Sequence, residues 1–111
     1  MDYKNFVNIM DMANLSKEKT GLNNDIFIST RFAKHRPRLR VYKDTVGSPT
    51  VSILLDKPHA QSAGKKGLIS ERDLDLVREW IDLNYDVLIG YWNNSIPYTE
   101  DVLNRLRPIS K

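Results

Sequence analysis

The chain predicts an α+β fold: a three-stranded antiparallel meander packed against one long or broken helix, with short N- and C-terminal helices. Three observations carry this expectation. Residues 26–56 contain three short runs in which apolar side chains alternate with polar ones, the pattern of a half-buried antiparallel sheet. Residues 70–92 contain a broad apolar stripe at helical spacing. The connections between the runs carry Pro or Gly and are short enough for a meander. At 111 residues with 41% apolar content, one domain over 1–111 is expected, large enough for its own core.

Taken in order, residues 3–14 place Tyr3, Phe6, Val7, Met10 and Ala13 three and four apart. This predicts an amphipathic helix, which docks on the body or on a partner. The polar run 16–20 and Gly21 end it, so 1–20 forms an N-terminal helix and turn. In 26–32, Ile26, Ile28, Thr30 and Phe32 share one face, and Phe27, Ser29 and Arg31 the other. In 38–43, Leu39 and Val41 oppose Arg38, Arg40 and Tyr42; in 50–55, Val51, Ile53 and Leu55 oppose Thr50, Ser52 and Leu54. The sheet therefore spans 25–56, and 57–69 is expected to be a polar loop.

Ser70-Glu71-Arg72-Asp73 reads as a capping box with acids in the first turn. Behind it Leu74, Val77, Ile81, Tyr85 and Leu88 form one stripe, with Leu76, Trp80, Leu83 and Val87 beside it. Asn84 is a candidate kink, leaving 70–92 as one helix or two. After a turn at 93–97, Thr99 is expected to cap a last helix over 99–107, with Tyr98 and Leu103 at hydrophobic-staple spacing.

Several chemistries are excluded by residue type. With no cysteine, the chain has no disulfide, thiolate metal site or cysteine nucleophile. It has no His-x-x-x-His pair, Asp-x-Asp loop, P-loop, nucleophile elbow or dinucleotide glycine turn, so no metal site and no cofactor is expected. Its N-terminal segment has acids and amides spread through it, predicting neither a signal peptide nor a membrane span. A cytoplasmic location without membrane partners is the corresponding expectation.

Charge is unevenly placed. Residues 31–66 carry nine Lys/Arg against Asp44 and Asp56, a net +7, whereas 71–101 carry eight acids against Arg72 and Arg78, a net −6. A one-signed field steers an oppositely charged partner, and two complementary halves can also pair within one fold.

The segment His35-Arg36-Pro37-Arg38-Leu39-Arg40-Val41, the short run 51–56, and the helix containing Gly67-Leu68-Ile69-Ser70 and Leu76-Val77-Arg78-Glu79-Trp80 together resemble a known group of sequences. This group is a family of small bacterial domains of unknown function, often encoded on mobile elements and beside toxin–antitoxin-like genes. Members carry a His-x-Pro-Pro-His-x-His-Val-like motif followed by an L-V-x-x-W helix, and the resemblance covers about residues 25–95. His35 and Pro37 carry over. The second proline is absent, and Arg38 and Arg40 stand where members have histidines. The resemblance implies a mobile-element or toxin–antitoxin-type module.

Three functional readings follow. The first is nucleic-acid binding through Arg31, Lys34, Arg36, Arg38, Arg40 and Tyr42, because arginines beside an aromatic on an open sheet face suit phosphate contact and base stacking. The alternative for these arginines is pairing with acids of the same fold, or simple solvation. The second reading is a protein-interaction adaptor or inhibitor, docking a neighbouring gene's product or a second copy of the chain through Tyr3, Phe6, Met10, Tyr91 and Trp92. For Tyr91 and Trp92 the alternative is helix packing. The third is a metal-independent ribonuclease with His35 as base, His59 as acid and Arg38 or Arg40 as phosphate clamp. That reading needs the 57–67 loop to fold back over the 33–37 turn; otherwise His35 is a turn residue and His59 a solvent-exposed loop residue.

Overall fold

A computed structural model describes residues 12–31 and 35–110. Five strands form one antiparallel sheet in sequence order: β1 (Met12–Leu15), β2 (Ile26–Ser29), β3 (Arg38–Tyr42), β4 (Thr50–Leu54) and β5 (Gln61–Ala63). A short helix α1 (Lys17–Thr20) joins β1 to β2, and two helices, α2 (Glu71–Trp92) and α3 (Thr99–Arg105), follow the sheet. Among the described residues no helix is long and apolar enough to cross a membrane.

The three expected strands form where alternation places them, and burial follows the same period of two. Ile26, Ile28, Leu39, Val41, Val51, Ile53 and Leu55 are all buried, while Arg40 on the opposite face is exposed. The buried face packs on Leu74, Val77, Trp80, Ile81 and Leu88 of α2. One side of a small sheet is thus closed by one helix, the arrangement that buries an amphipathic sheet at least cost.

Two expectations about the sheet are corrected. The three-stranded meander is a five-stranded one. The helix expected over 3–14 gives way at its C-terminal end to β1, where Ala13 pairs with Ile28 and Leu15 with Ile26; the remainder of that segment, including Tyr3, Phe6 and Met10, lies outside the described residues. Ala13 fitted a three-and-four spacing, yet Ala13 and Leu15 also fit a spacing of two, and the unfilled backbone edge of β2 decides between them.

At the other edge, the 57–69 segment contains β5 within the expected loop. Ser52 pairs with Ala63 and Ile53 with Gln61, with a register shift between them. Gly64 ends β5 at φ +98°, where an added Cβ would stand 2.8 Å from the Thr50 carbonyl oxygen and the Val51 Cα. Only glycine lets the chain pass this close to β4.

Helix α2 begins as expected: Ser70 Oγ accepts the Asp73 N–H at 3.2 Å. The Asp73 carboxylate accepts from Asn23 Nδ2 at 2.9 Å. The helix is one element with a kink at Asn84 (φ −116°, ψ 16°). The Asn84 amide pairs with the C-terminal segment: its Oδ1 accepts the Arg107 N–H at 2.7 Å, and its Nδ2 donates to the Arg107 carbonyl at 2.9 Å and to Trp80 O at 3.0 Å.

The cap of α3 differs from expectation. Tyr98 occupies the N-cap position without a side-chain bond, and Thr99 Oγ1 pairs instead with the Tyr91 hydroxyl at 2.9 Å. Tyr98 is 68% exposed, so the expected staple with Leu103 does not form.

Candidate functional site

The face of the sheet turned away from α2 carries the basic residues. One cross-strand row reads Asn14, Phe27, Arg40, Ser52 and Ala63. The Arg40 guanidinium carbon lies 5.6 Å from the centroid of the Phe27 ring, within cation–π range. Arg38 and Tyr42 flank Arg40 on the same side of β3, and the Tyr42 hydroxyl donates to Asn14 Oδ1 at 2.8 Å. This ties β1 to β3 across β2 and fixes the tyrosine ring at one end of the face.

Arg38 is half-buried, and its pKa lies below the ordinary arginine value, first because burial removes water and second because Arg40 is adjacent. It stays charged, so the effect is a cation held at some electrostatic cost. His35, Arg36 and Arg38 line an open pocket of about 480 Å³ with Leu54, Ser62 and Ala63. Arg31 is exposed beside the end of α2; its backbone N–H donates to the Trp92 carbonyl at 2.8 Å and its guanidinium reaches Asn93 Oδ1 at 3.5 Å. Lys34 lies outside the described residues.

The acids of α2 do not neutralise this face. Arg78 binds Glu71 and Asp75, Lys57 and His59 approach Asp82, and Lys17 pairs with Asp44. Among the described residues, no ion pair involves Arg31, Arg36, Arg38 or Arg40. Lys57 thus joins the two charged halves at Asp82, while the arginines of β3 and its entrance stay outside that pairing.

His59 corrects another expectation. It is 3% exposed, so it is a buried residue and not a solvent-exposed loop residue. It sits at φ +58° in the turn between β4 and β5. Nδ1 lies 3.2 Å from the Leu54 carbonyl oxygen and Nε2 lies 2.7 Å from Asp82 Oδ1. Both ring nitrogens thus face oxygen atoms, one on β4 and one on α2, and the ring clamps the turn onto α2. Its own carbonyl receives the Arg78 Nε–H at 3.1 Å. His59 lines a pocket of about 400 Å³ with Asp56, Lys57, Asp82 and Tyr85, whereas His35 lines the other pocket. The two histidines are thus not brought together as an acid–base pair.

In the His59 pocket, the Tyr85 hydroxyl donates to Asp56 Oδ1 at 2.9 Å. This hydrogen bond, followed by burial and by the charges of Asp56 and Asp86, raises the phenol above its ordinary value of 10.0. The folded state then keeps a proton that the unfolded chain has lost, so stability falls as pH rises through and beyond 10. Tyr85→Phe should flatten that alkaline loss relative to wild type in urea titrations across pH 9–11. Parallel pH profiles for the two proteins would refute the coupling.

Tyr91 and Trp92, candidate interface residues from their place at the helix end, are 1% and 2% exposed. They are packed within the chain because the segment after α2 folds back over them: Ser95 and Ile96 N–H groups bond the Gly90 carbonyl at 2.8 and 3.2 Å. No described group of three or more His, Asp or Glu residues is arranged to hold a metal ion. Comparison with protein-family models, curated proteins and solved structures finds no match for the chain.

Proposed function

We propose that the protein is a small binding module that takes single-stranded nucleic acid on the open face of its sheet. One observation carries this reading: Arg40 stands over the Phe27 ring and Arg38 lies two residues along on the same side of β3, on a face where no described carboxylate pairs with either arginine. Guanidinium groups supply phosphate contact, and an aromatic ring offers a stacking surface that every base can use. Phe27 was not singled out in the sequence, where it reads only as an apolar residue on the polar face. The resemblance around His35 and Pro37 adds the proposal that the module serves a mobile-element or toxin–antitoxin-type system.

The test is fluorescence anisotropy with short RNA and DNA oligomers across a salt series. Each phosphate contact with a single strand contributes about −0.7 to the slope of log affinity against log salt. The double variant Arg38→Ala, Arg40→Ala should therefore flatten the slope by about 1.4, besides weakening binding. Absence of binding at low salt, or an unchanged slope in the variant, would overturn the reading.

A further inference from the structure

We infer that the pocket formed by His35, Arg36, Arg38 and Ser62 is a site for a terminal phosphate monoester, so that the module holds a phosphorylated strand end. This inference rests on the nucleic-acid reading and makes it specific.

Three observations converge on it. First, the pocket is concave and of about 480 Å³, and it is walled on one side by Leu54, Ser62 and Ala63; the Arg40–Phe27 platform beside it is part of an open sheet face. An internal phosphodiester crosses a surface and needs no such recess. A chain end can enter one.

Second, the charge matches a monoester better than a diester. Arg36 and Arg38 are permanent cations, and the Ser62 hydroxyl is a neutral donor. A phosphate monoester carries between one and a half and two negative charges at neutral pH, roughly double that of a diester, and offers three terminal oxygens. Arginine matches such a group through paired, parallel N–H donors.

Third, Arg38 is a partly desolvated cation next to a second cation, with no acid among the described residues to offset it. Such an arrangement carries an electrostatic cost in the unliganded fold. A bound dianion relieves it, and the relief is larger here than at a fully solvated arginine because water screens less.

The position of the pocket also suits a nucleotide end. Arg38 and Arg40 are two residues apart on β3, about 6.6 Å along a strand. A terminal phosphate at Arg38 therefore leaves the first nucleotide over the Arg40–Phe27 platform. β5 closes the far wall through Ser62 and Ala63, so this site exists only because the fifth strand folds against β4.

The experiment uses the full chain and three fluorescent octanucleotides of one sequence, bearing a 5′-phosphate, a 3′-phosphate or hydroxyl groups at both ends. Anisotropy at fixed salt should show one phosphorylated form binding about tenfold or more tightly than the hydroxyl form, the worth of one added charge-assisted contact. Arg38→Gln should erase that preference, while Arg40→Gln should weaken all three oligomers and leave their ratio intact. Circular dichroism of each variant checks that the fold persists. Equal binding of the three oligomers would overturn the terminal-phosphate site and leave the basic-face reading standing. Failure of all three to bind would overturn both. A preference that survives Arg38→Gln would place the phosphate elsewhere and also refute the site.

Discussion

Replacing Asn84 with Ala should lower folding stability by about 3 kcal/mol, from loss of paired hydrogen bonds at a buried position. Asn84 is 2% exposed, and its amide satisfies both the N–H and the carbonyl of Arg107. Alanine leaves these backbone groups without partners and a small void beside Trp80. For a domain of this size that loss is a large fraction of the total.

Asn84→Asp separates donor from acceptor roles. The carboxylate still accepts the Arg107 N–H, yet it faces the Arg107 and Trp80 carbonyl oxygens with no proton to offer. The neutral acid is the better fit, so the folded-state pKa of this introduced group rises above its unfolded value. The folded state then binds the extra proton, and stability relative to wild type recovers as pH falls toward the carboxylate range. Urea denaturation should show shifted midpoints at unchanged m for both variants. A loss below about 1 kcal/mol for Asn84→Ala would mean that the pairing with Arg107 is replaced by water at little cost.

The second large effect is expected at His59. His59→Ala removes the clamp between the Leu54 carbonyl and Asp82 and puts a Cβ-bearing apolar residue at φ +58° with no compensating bond. A loss of about 2–3 kcal/mol is expected from the charge-assisted bond and the emptied space. His59→Gly also loses the side chain but relieves the backbone, and it should be the milder change by about 1 kcal/mol. A glycine variant equal to or worse than the alanine variant would show that the positive φ contributes nothing.

Both changes at His59 should act on binding as well as on stability. The turn it clamps leads directly into β5, and β5 supplies Ser62 and Ala63 to the pocket beside Arg38. Hydrogen exchange should report the Leu54 amide, bonded to the Ala60 carbonyl at 3.0 Å, opening earlier in the variants. Protection that is unchanged there would separate His59 from the pocket.

The central sheet and the main helix were legible in the sequence because each repeats its pattern over enough residues to be unambiguous. Leu39/Val41 and Val51/Ile53/Leu55 show a period of two, and Leu74, Val77, Ile81 and Leu88 one helical stripe. Each pattern also states which side is buried, so the basic face could be read from β3 alone. The Ser70 cap and the Asn84 kink were legible for the same local reason: serine at a helix start and asparagine within a helix act through bonds to nearby backbone.

The two edge strands were not legible. β1 and β5 are four and three residues long, too short for a period to declare itself, and they are held by backbone bonds to neighbours that sequence does not place. The sequence by itself determined three strands, a helical region over 70–92 and the alternation that puts the arginines of β3 on one face, while leaving open whether that region is one helix or two and whether those arginines pair with acids. Tertiary structure decided that His59 is a clamp and not an exposed loop residue, and that Tyr91 and Trp92 are core. It also decided that Phe27 lies under Arg40 and that Ser62 reaches the His35–Arg38 pocket. Each of these depends on contacts between segments distant in the chain, where the partner and not the residue type sets the role.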